Sequence, residues 1–228
     1  MELAESQHAA YVRALRSSGL QINFVKADDE RIDCVFIEDT AIVWDGQALI
    51  TRMNPHREGE QPAVEAFLGK THRIARLQVS ERLEGGDVLH TDQVTYVGES
   101  SRTNQAGIAA LRKFLAPLGR PVVPVPVRRC LHLKTAATYL GDRTMMVAPK
   151  LLDAFHFDVE EVIETEPGEE SAANCLRIGS HLLIPAGTHR TEKKLRVFSQ
   201  KKGLEIVPLE CSEFQKGGGS LTCLSLLW

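Results

Sequence analysis

Cysteine and histidine are the side chains best suited to nucleophilic attack and proton transfer near neutral pH, and one cysteine here has a distinctive setting. Cys223 follows Gly217-Gly218-Gly219-Ser220-Leu221-Thr222 and precedes the apolar run Leu224-Ser225-Leu226-Leu227-Trp228. A glycine-rich loop feeding a short strand, expected over Leu221 to Trp228, brings a thiol to the edge of a rigid scaffold, where a nucleophile is useful. The same spacing describes a buried core thiol, and on spacing alone packing is favoured, because free cysteine is among the most buried residue types. The other cysteines, Cys34, Cys130, Cys175 and Cys211, are scattered. An odd count without a CxxC pair implies reduced thiols in a cytoplasm, and no cluster has zinc-ligand spacing. No metal or other cofactor is expected.

The chain has 228 residues, 43% of them hydrophobic and 25% charged, which is ample material for a core and fits one large domain or two small ones. A net charge of -3 argues against nucleic-acid and anionic-membrane surfaces. No segment approaches the roughly 20 apolar residues of a membrane span. The start, Met1-Glu2-Leu3-Ala4-Glu5, lacks the basic region and apolar core of a signal peptide.

The elements that must hold such a cysteine follow a pattern. A helix is predicted over Glu5 to Ser17, stopped by Gly19, and a strand over Leu20 to Val25. Strands follow at Asp33 to Glu38, Ala41 to Trp44 and Ala48 to Thr51, then a helix from Pro62 to Leu68 and a strand from Arg73 to Val79. Next come a hairpin (Asp87 to Leu89, Gln93 to Val97), a helix from Asn104 to Leu115 capped near Thr103, and a proline-bearing edge strand from Pro121 to Val127. The hairpin-helix-strand order recurs from Leu131 to Glu164 and from Asn174 to Val207, with a helix at Glu192 to Lys201 and Pro208 ending the last strand. Gly86, His132, Asn174 and Cys223 sit 46, 42 and 49 residues apart, a period that signals a radial or stacked repeat. The leading helix and strand and the terminal strand together make a fifth unit that is one strand short.

Six segments carry a family resemblance: Asp33-Cys34-Val35-Phe36-Ile37-Glu38-Asp39, Leu83-Glu84-Gly85-Gly86-Asp87-Val88, Ser101-Arg102-Thr103-Asn104-Gln105, Leu131-His132-Leu133-Lys134, Ala172-Ala173-Asn174-Cys175 and Leu221-Thr222-Cys223. In this order, from about residue 5 to the end, the chain resembles the dimethylarginine dimethylaminohydrolases. The resemblance implies the α/β pentein fold, a five-bladed propeller of ββαβ units around a central site. Its closing blade would here be one N-terminal strand short, because the family usually carries about thirty further residues, including that strand and a substrate-covering loop, before the first helix.

A guanidinium is planar, cationic and resonance-stabilised, so attack on its carbon needs a strong nucleophile, anionic groups to hold the cation and an acid for the departing amine. The resemblance makes Cys223 the nucleophile, His132 the acid that then activates water, and Glu84 the group that orients and charges His132. It places Asp33, Glu38 and Asp39 around the substrate's guanidinium and α-ammonium, Arg102 on its carboxylate, and Gly217 in the loop beside the site. Arg57 matches a second carboxylate-binding arginine through a one-residue gap. The implied reaction converts asymmetric dimethylarginine or monomethylarginine to citrulline and dimethylamine or methylamine. The partner is then a small molecule, with no nucleic acid or membrane, and a homodimer is possible. Arginine deiminase or amidinotransferase chemistry would use the same cysteine and histidine. A silent binding module of this fold would not need Cys223, His132 and Glu84 together. Taken singly, the acidic residues and Arg102 read as ordinary surface groups; the ordered set favours the catalytic reading.

Overall fold

The structure, a computed structural model, describes residues 2–228. These comprise α1 (Glu2–Ser17), β1 (Ala41–Trp44), β2 (Gln47–Ile50), α2 (Gln61–Leu68), β3 (Arg73–Arg76), β4 (Val88–His90), β5 (Thr95–Glu99), α3 (Gln105–Leu115) and β6 (Val122–Pro126) in the first half. The second half adds α4 (Leu133–Ala136), β7 (Ala137–Gly141), β8 (Thr144–Val147), β9 (Glu161–Glu164), β10 (Leu176–Ile178), β11 (His181–Pro185), α5 (His189–Lys202), β12 (Glu205–Leu209) and α6 (Ser212–Lys216). The strands form four three-stranded sheets among the described residues, β1-β2-β3, β4-β5-β6, β7-β8-β9 and β10-β11-β12. Each is an antiparallel hairpin followed by a third strand parallel to the second. A parallel return needs a crossover, which is why a helix or long loop separates the second strand from the third each time. The repeated unit read from the sequence is therefore present four times in a mixed α/β fold of small sheets.

Two compact units divide the chain. One comprises Phe24–Leu133 with Cys223–Trp228, and the other Met1–Asn23 with Lys134–Thr222. In the first, β1 and β2 alternate between two cores, as period-two side chains must. Ala41, Val43, Ala48 and Ile50 pack with Val64 and Leu68 of α2, and Leu226 and Val25 lie against them. Ile42 and Leu49 face the other way, onto Leu83, Val88, Val97 and the Ile108, Leu111 and Leu115 stripe of α3. Asn104 caps α3 by accepting from the Gly107 amide, one residue beyond the expected cap. In the other unit, β7, β8 and β11 bury Leu140, Met146, Leu182 and Ile184 with Leu195 and Phe198 of α5. There Gln7 of α1 binds Ser212 Oγ at 2.9 Å and accepts from the Glu213 amide at 3.0 Å, tying α1 to α6.

Several expectations need correction. Residues Asp33 to Glu38 are not a strand but two 3-10 turns, Ile32–Val35 and Ile37–Thr40. The carbonyls of Asp33 and Phe36, which a strand would commit to a neighbour, instead accept from Arg57 Nη2 at 3.2 and 3.1 Å. Leu20 to Val25 forms no strand, although its alternation of half-buried and exposed residues imitates one. In the third repeat the crossover holds only a 3-10 turn, Ala154–His156, since Phe155 there is exposed and no helical stripe exists. Strand β12 continues through Pro208, which an edge strand tolerates because its missing amide is not needed. Leu221 to Trp228 is not a strand either: Leu221–Leu224 is a 3-10 turn, and the last residues are held by side chains. Trp228 packs edge-on against His72 at 5.4 Å and against Phe67 at 6.5 Å.

Candidate active site

Glu84 is extended (φ -113°, ψ 144°) just ahead of the 3-10 turn Gly85–Asp87, which aims its side chain into the protein, where it is fully buried. Its Oε2 lies 2.7 Å from His132 Nε2. Its Oε1 accepts from the Asn54 amide at 2.8 Å and lies 3.5 Å from Arg102 Nη1. One carboxylate thus touches the candidate acid, the candidate carboxylate-binding arginine and the loop after β2.

His132 stands immediately before α4 and is only 5% exposed. Burial disfavours its charge, but the carboxylates of Asp39, Glu84 and Asp87 outweigh that cost and hold the imidazolium up at about 9. At neutral pH it carries the proton a departing amine requires.

Asp39 lies in the second 3-10 turn, with Oδ1 3.9 Å from His132 Nε2 and accepting from the Gly86 amide at 2.8 Å. Burial would raise its pKa, yet His132, Arg57 and that amide together keep it below the usual carboxylate range. Gly86 has to be glycine for this packing: a Cβ there would sit 2.6 Å from His132 Nδ1 and 2.9 Å from Asp39 Oδ1. Gly85 is tighter still, since its Cβ would meet the Glu38 carbonyl oxygen at 1.9 Å.

Arg57 is turned inward. Its guanidinium donates to Asp39 Oδ2 at 2.5 Å, to Glu60 through Nε and Nη2, and to the two carbonyls already named, and the side chain is 6% exposed. Burial would ease its proton off, but Glu60 and Asp39 hold it on more firmly than in water. Glu38 is buried beside Asp39, while Asp33 is 40% exposed with Oδ2 4.0 Å from His56 Nε2. Arg102 is mostly buried, its amide bound to Ser100 Oγ at 2.9 Å. Cys223 is half-buried in the Leu221–Leu224 turn, between buried Thr222 and Leu224, and the division between the units falls just before it. Gly217 belongs to the other unit, exposed at the end of α6, with its amide on the Phe214 carbonyl.

The site therefore gathers Asp39, Glu84, His132, Arg102 and Arg57 into one network within one unit. It also contains Asn54, Glu60, Asp87, Ser100 and Thr103, to which the sequence reading gave no role. Asp87 and Thr103 lay inside quoted motifs, whereas nothing in the sequence marked Glu60 as a partner for a buried arginine. Among the thiols, burial pushes Cys175 up to about 12 and, helped by the charge of Asp87, Cys130 up to about 11, so neither is a thiolate at neutral pH. The ligand atoms of Asp39, Glu84 and His132 lie within 4.8 Å of one another, a spacing that could admit a metal ion. Their charge is already balanced by protein cations, the His132 proton and Arg57, and an ion would have to displace that proton.

Known proteins resemble this chain along nearly its whole length. The sequence model of the family described as N,N dimethylarginine dimethylhydrolase, eukaryotic, matches residues 1–226. The chain is 37% identical over 238 residues to the N(G),N(G)-dimethylarginine dimethylaminohydrolase of Streptomyces coelicolor, covering 98% of this chain and 85% of that one. It is 30% identical over 226 residues to the enzyme of the same name from Pseudomonas aeruginosa, covering 98% and 87%. The solved structure of the Pseudomonas aeruginosa enzyme, a cysteine-to-serine mutant complexed with citrulline, superposes with a TM-score of 0.89 at 28% identity over 98% of this chain and 87% of that one. The N-terminal domain of a cyanobacterial arginine dihydrolase shares the fold, with a TM-score of 0.88 at 20% identity over 99% and 85% of the two chains. A match along nearly the whole sequence, with relatives at and above 30% identity, means that this chain belongs to the dimethylarginine dimethylaminohydrolase family.

Proposed function

We propose that this chain hydrolyses N-omega-methylated arginines to citrulline and dimethylamine or methylamine through a covalent intermediate on Cys223. The observation that carries the reading is the buried His132 imidazolium, held on Glu84 at 2.7 Å and surrounded by carboxylates. Relatives named as dimethylarginine dimethylaminohydrolases support the substrate class, as do a relative's structure with citrulline and another described as an adduct with S-methyl-L-thiocitrulline. The Cys223 thiolate adds to the guanidinium carbon and forms a C–S bond. His132 gives its proton to the methylated nitrogen, and the C–N bond breaks to release the neutral amine. Neutral His132 then takes a proton from water as it adds to the same carbon. The C–S bond breaks as the added hydroxyl loses its remaining proton, which passes to solvent and is taken up by the released amine as its ammonium ion, leaving citrulline and the thiolate.

Asp33, Glu38 and Asp39 supply the anionic surroundings for the substrate cation, and Arg102 pairs with its carboxylate. Arg57 is better read as a positioning residue, because its donors engage Asp39, Glu60 and two carbonyls. Gly217 shapes the loop that precedes the nucleophile. The four repeated sheets support the five-bladed pentein propeller implied by the resemblance, a single catalytic domain over residues 1–228. The protein works in the cytoplasm on a small molecule, without nucleic acid or membrane.

The test is to incubate the protein with asymmetric dimethylarginine and with arginine and to measure citrulline and dimethylamine. The expected result is equimolar citrulline and dimethylamine from the methylated substrate, at a rate well above citrulline release from arginine. Faster turnover of arginine would overturn the assignment.

A further inference from the structure

We propose that Asp87 is a positioning residue for this reaction, whose carboxylate ties the loop carrying Arg102 to the segment carrying His132. This rests on the reading of His132 and Arg102 given above. Asp87 is fully buried at the end of the Gly85–Asp87 turn. Its Oδ1 accepts from the Leu133 amide, next to His132, at 2.9 Å. Its Oδ2 accepts from Ser100 Oγ at 2.6 Å and from Thr103 Oγ1 at 2.7 Å, the residues that bracket Arg102.

The direction of these bonds is fixed by the rest of the network. Ser100 Oγ already accepts from the amides of Arg102 and Thr103, at 2.9 and 3.2 Å, so its single proton is left for Asp87. Thr103 Oγ1 accepts from the Glu84 amide at 3.3 Å and likewise gives its proton to Asp87. The Leu133 amide and Ser100 Oγ, whose two lone pairs are both taken, can only donate, and with Thr103 Oγ1 they give Asp87 three donors that favour its charged form. It is therefore a carboxylate, although burial raises its pKa. The chain leaves no slack around it: a Cβ on Gly98 would stand 2.3 Å from Oδ1.

Two consequences follow. Asp87 sets the placement of Arg102 through the two hydroxyls, and it adds a negative charge to the surroundings of His132. The titratable and charged groups facing His132 are Asp39, Glu84 and Asp87, with Arg57 and Arg102 behind the first two and the Cys130 thiol on the His132 carbonyl at 3.3 Å.

Three measurements on wild type, Asp87→Asn and the double variant Ser100→Ala/Thr103→Val separate these effects. They are steady-state kinetics with asymmetric dimethylarginine across pH, a melting curve, and an NMR titration of the His132 imidazole. Asp87→Asn should lower the His132 midpoint by about one pH unit and move the alkaline limb of kcat/KM down with it. The sign follows because removing an anion weakens the hold on the proton. The double variant frees the Arg102 loop, so it should raise KM by roughly tenfold with a smaller change in kcat; because it also removes two of the three donors to Asp87, its His132 midpoint should fall no further than that of Asp87→Asn. An unmoved midpoint in folded Asp87→Asn, or an unchanged KM in the double variant, overturns the proposal. If Asp87→Asn does not fold, the double variant decides through its KM. If wild type fails to turn over methylarginines, the function assignment fails instead, and the titration still decides the electrostatic role of Asp87.

Discussion

A buried imidazolium is stable only where anions compensate it, and His132 has three carboxylates doing so. Its pKa of about 9 lies above the unfolded value of about 6.5, so its contribution to stability is fully present below about pH 6.5 and fades as the pH rises through 9. Wild-type protein should accordingly lose melting temperature between pH 6.5 and 9.5, and His132→Gln should show a flatter profile over that interval. His132→Ala should slow citrulline release by roughly 10²- to 10⁴-fold, the range of a general acid/base contribution. Comparable rates in this variant and wild type would remove His132 from the mechanism. Arg102→Ala should raise KM for methylarginines by roughly tenfold or more, while a guanidine lacking the α-carboxylate should be little affected. Much of this scale was legible in the sequence, because Glu84, His132 and Arg102 sit in short motifs whose residue types suit the chemistry. Arg57 was not, since a one-residue gap hides whether an arginine faces substrate or Asp39, and only the buried partner Glu60 discloses it.

At the scale of elements, the Gly85–Asp87 turn is where the site is assembled. It delivers Glu84, binds Asp39 through the Gly86 amide, and ends on Asp87. Gly86→Ala would drive a methyl group against His132 and Asp39, so we expect a loss of activity larger than its loss of stability. Gly85→Ala meets a backbone carbonyl that cannot swing aside. It should cost about 1–3 kcal/mol, measurable as a lowered denaturation midpoint at unchanged slope. The hairpins and α1, α2, α3 and α5 were legible from period-two and helical spacing. The failures share a cause. Asp33 to Glu38 and Leu221 to Trp228 contain apolar residues that read as strands, yet the first forms turns whose carbonyls bind Arg57 and the second a turn and a tail packed through Leu226 and Trp228. Local apolar pattern reports burial, not whether a neighbouring strand is there to receive the backbone.

At the scale of the whole molecule, the chain returns its last residues, from Cys223 onward, to the unit that contains His132 and Glu84. Within that unit Leu226 packs against the β1, β2 and α2 core, which anchors the tail three residues after Cys223. Leu226→Ala should therefore cost about 1–2 kcal/mol and reduce kcat as well, because the tail that carries Cys223 is loosened. A drop in stability with full retention of kcat would separate tail anchoring from nucleophile placement. The strand expected over Leu221 to Trp228 is replaced by a 3-10 turn and an anchored tail.

The most direct test of the account is to quench the protein with acid during turnover of asymmetric dimethylarginine and to map its covalent state by mass spectrometry. We predict an adduct retaining the guanidino carbon on the peptide containing Cys223, matched by released dimethylamine and absent from Cys223→Ser, which should also make no citrulline. Citrulline production by Cys223→Ser at the wild-type rate, or an adduct on any other cysteine, would contradict it.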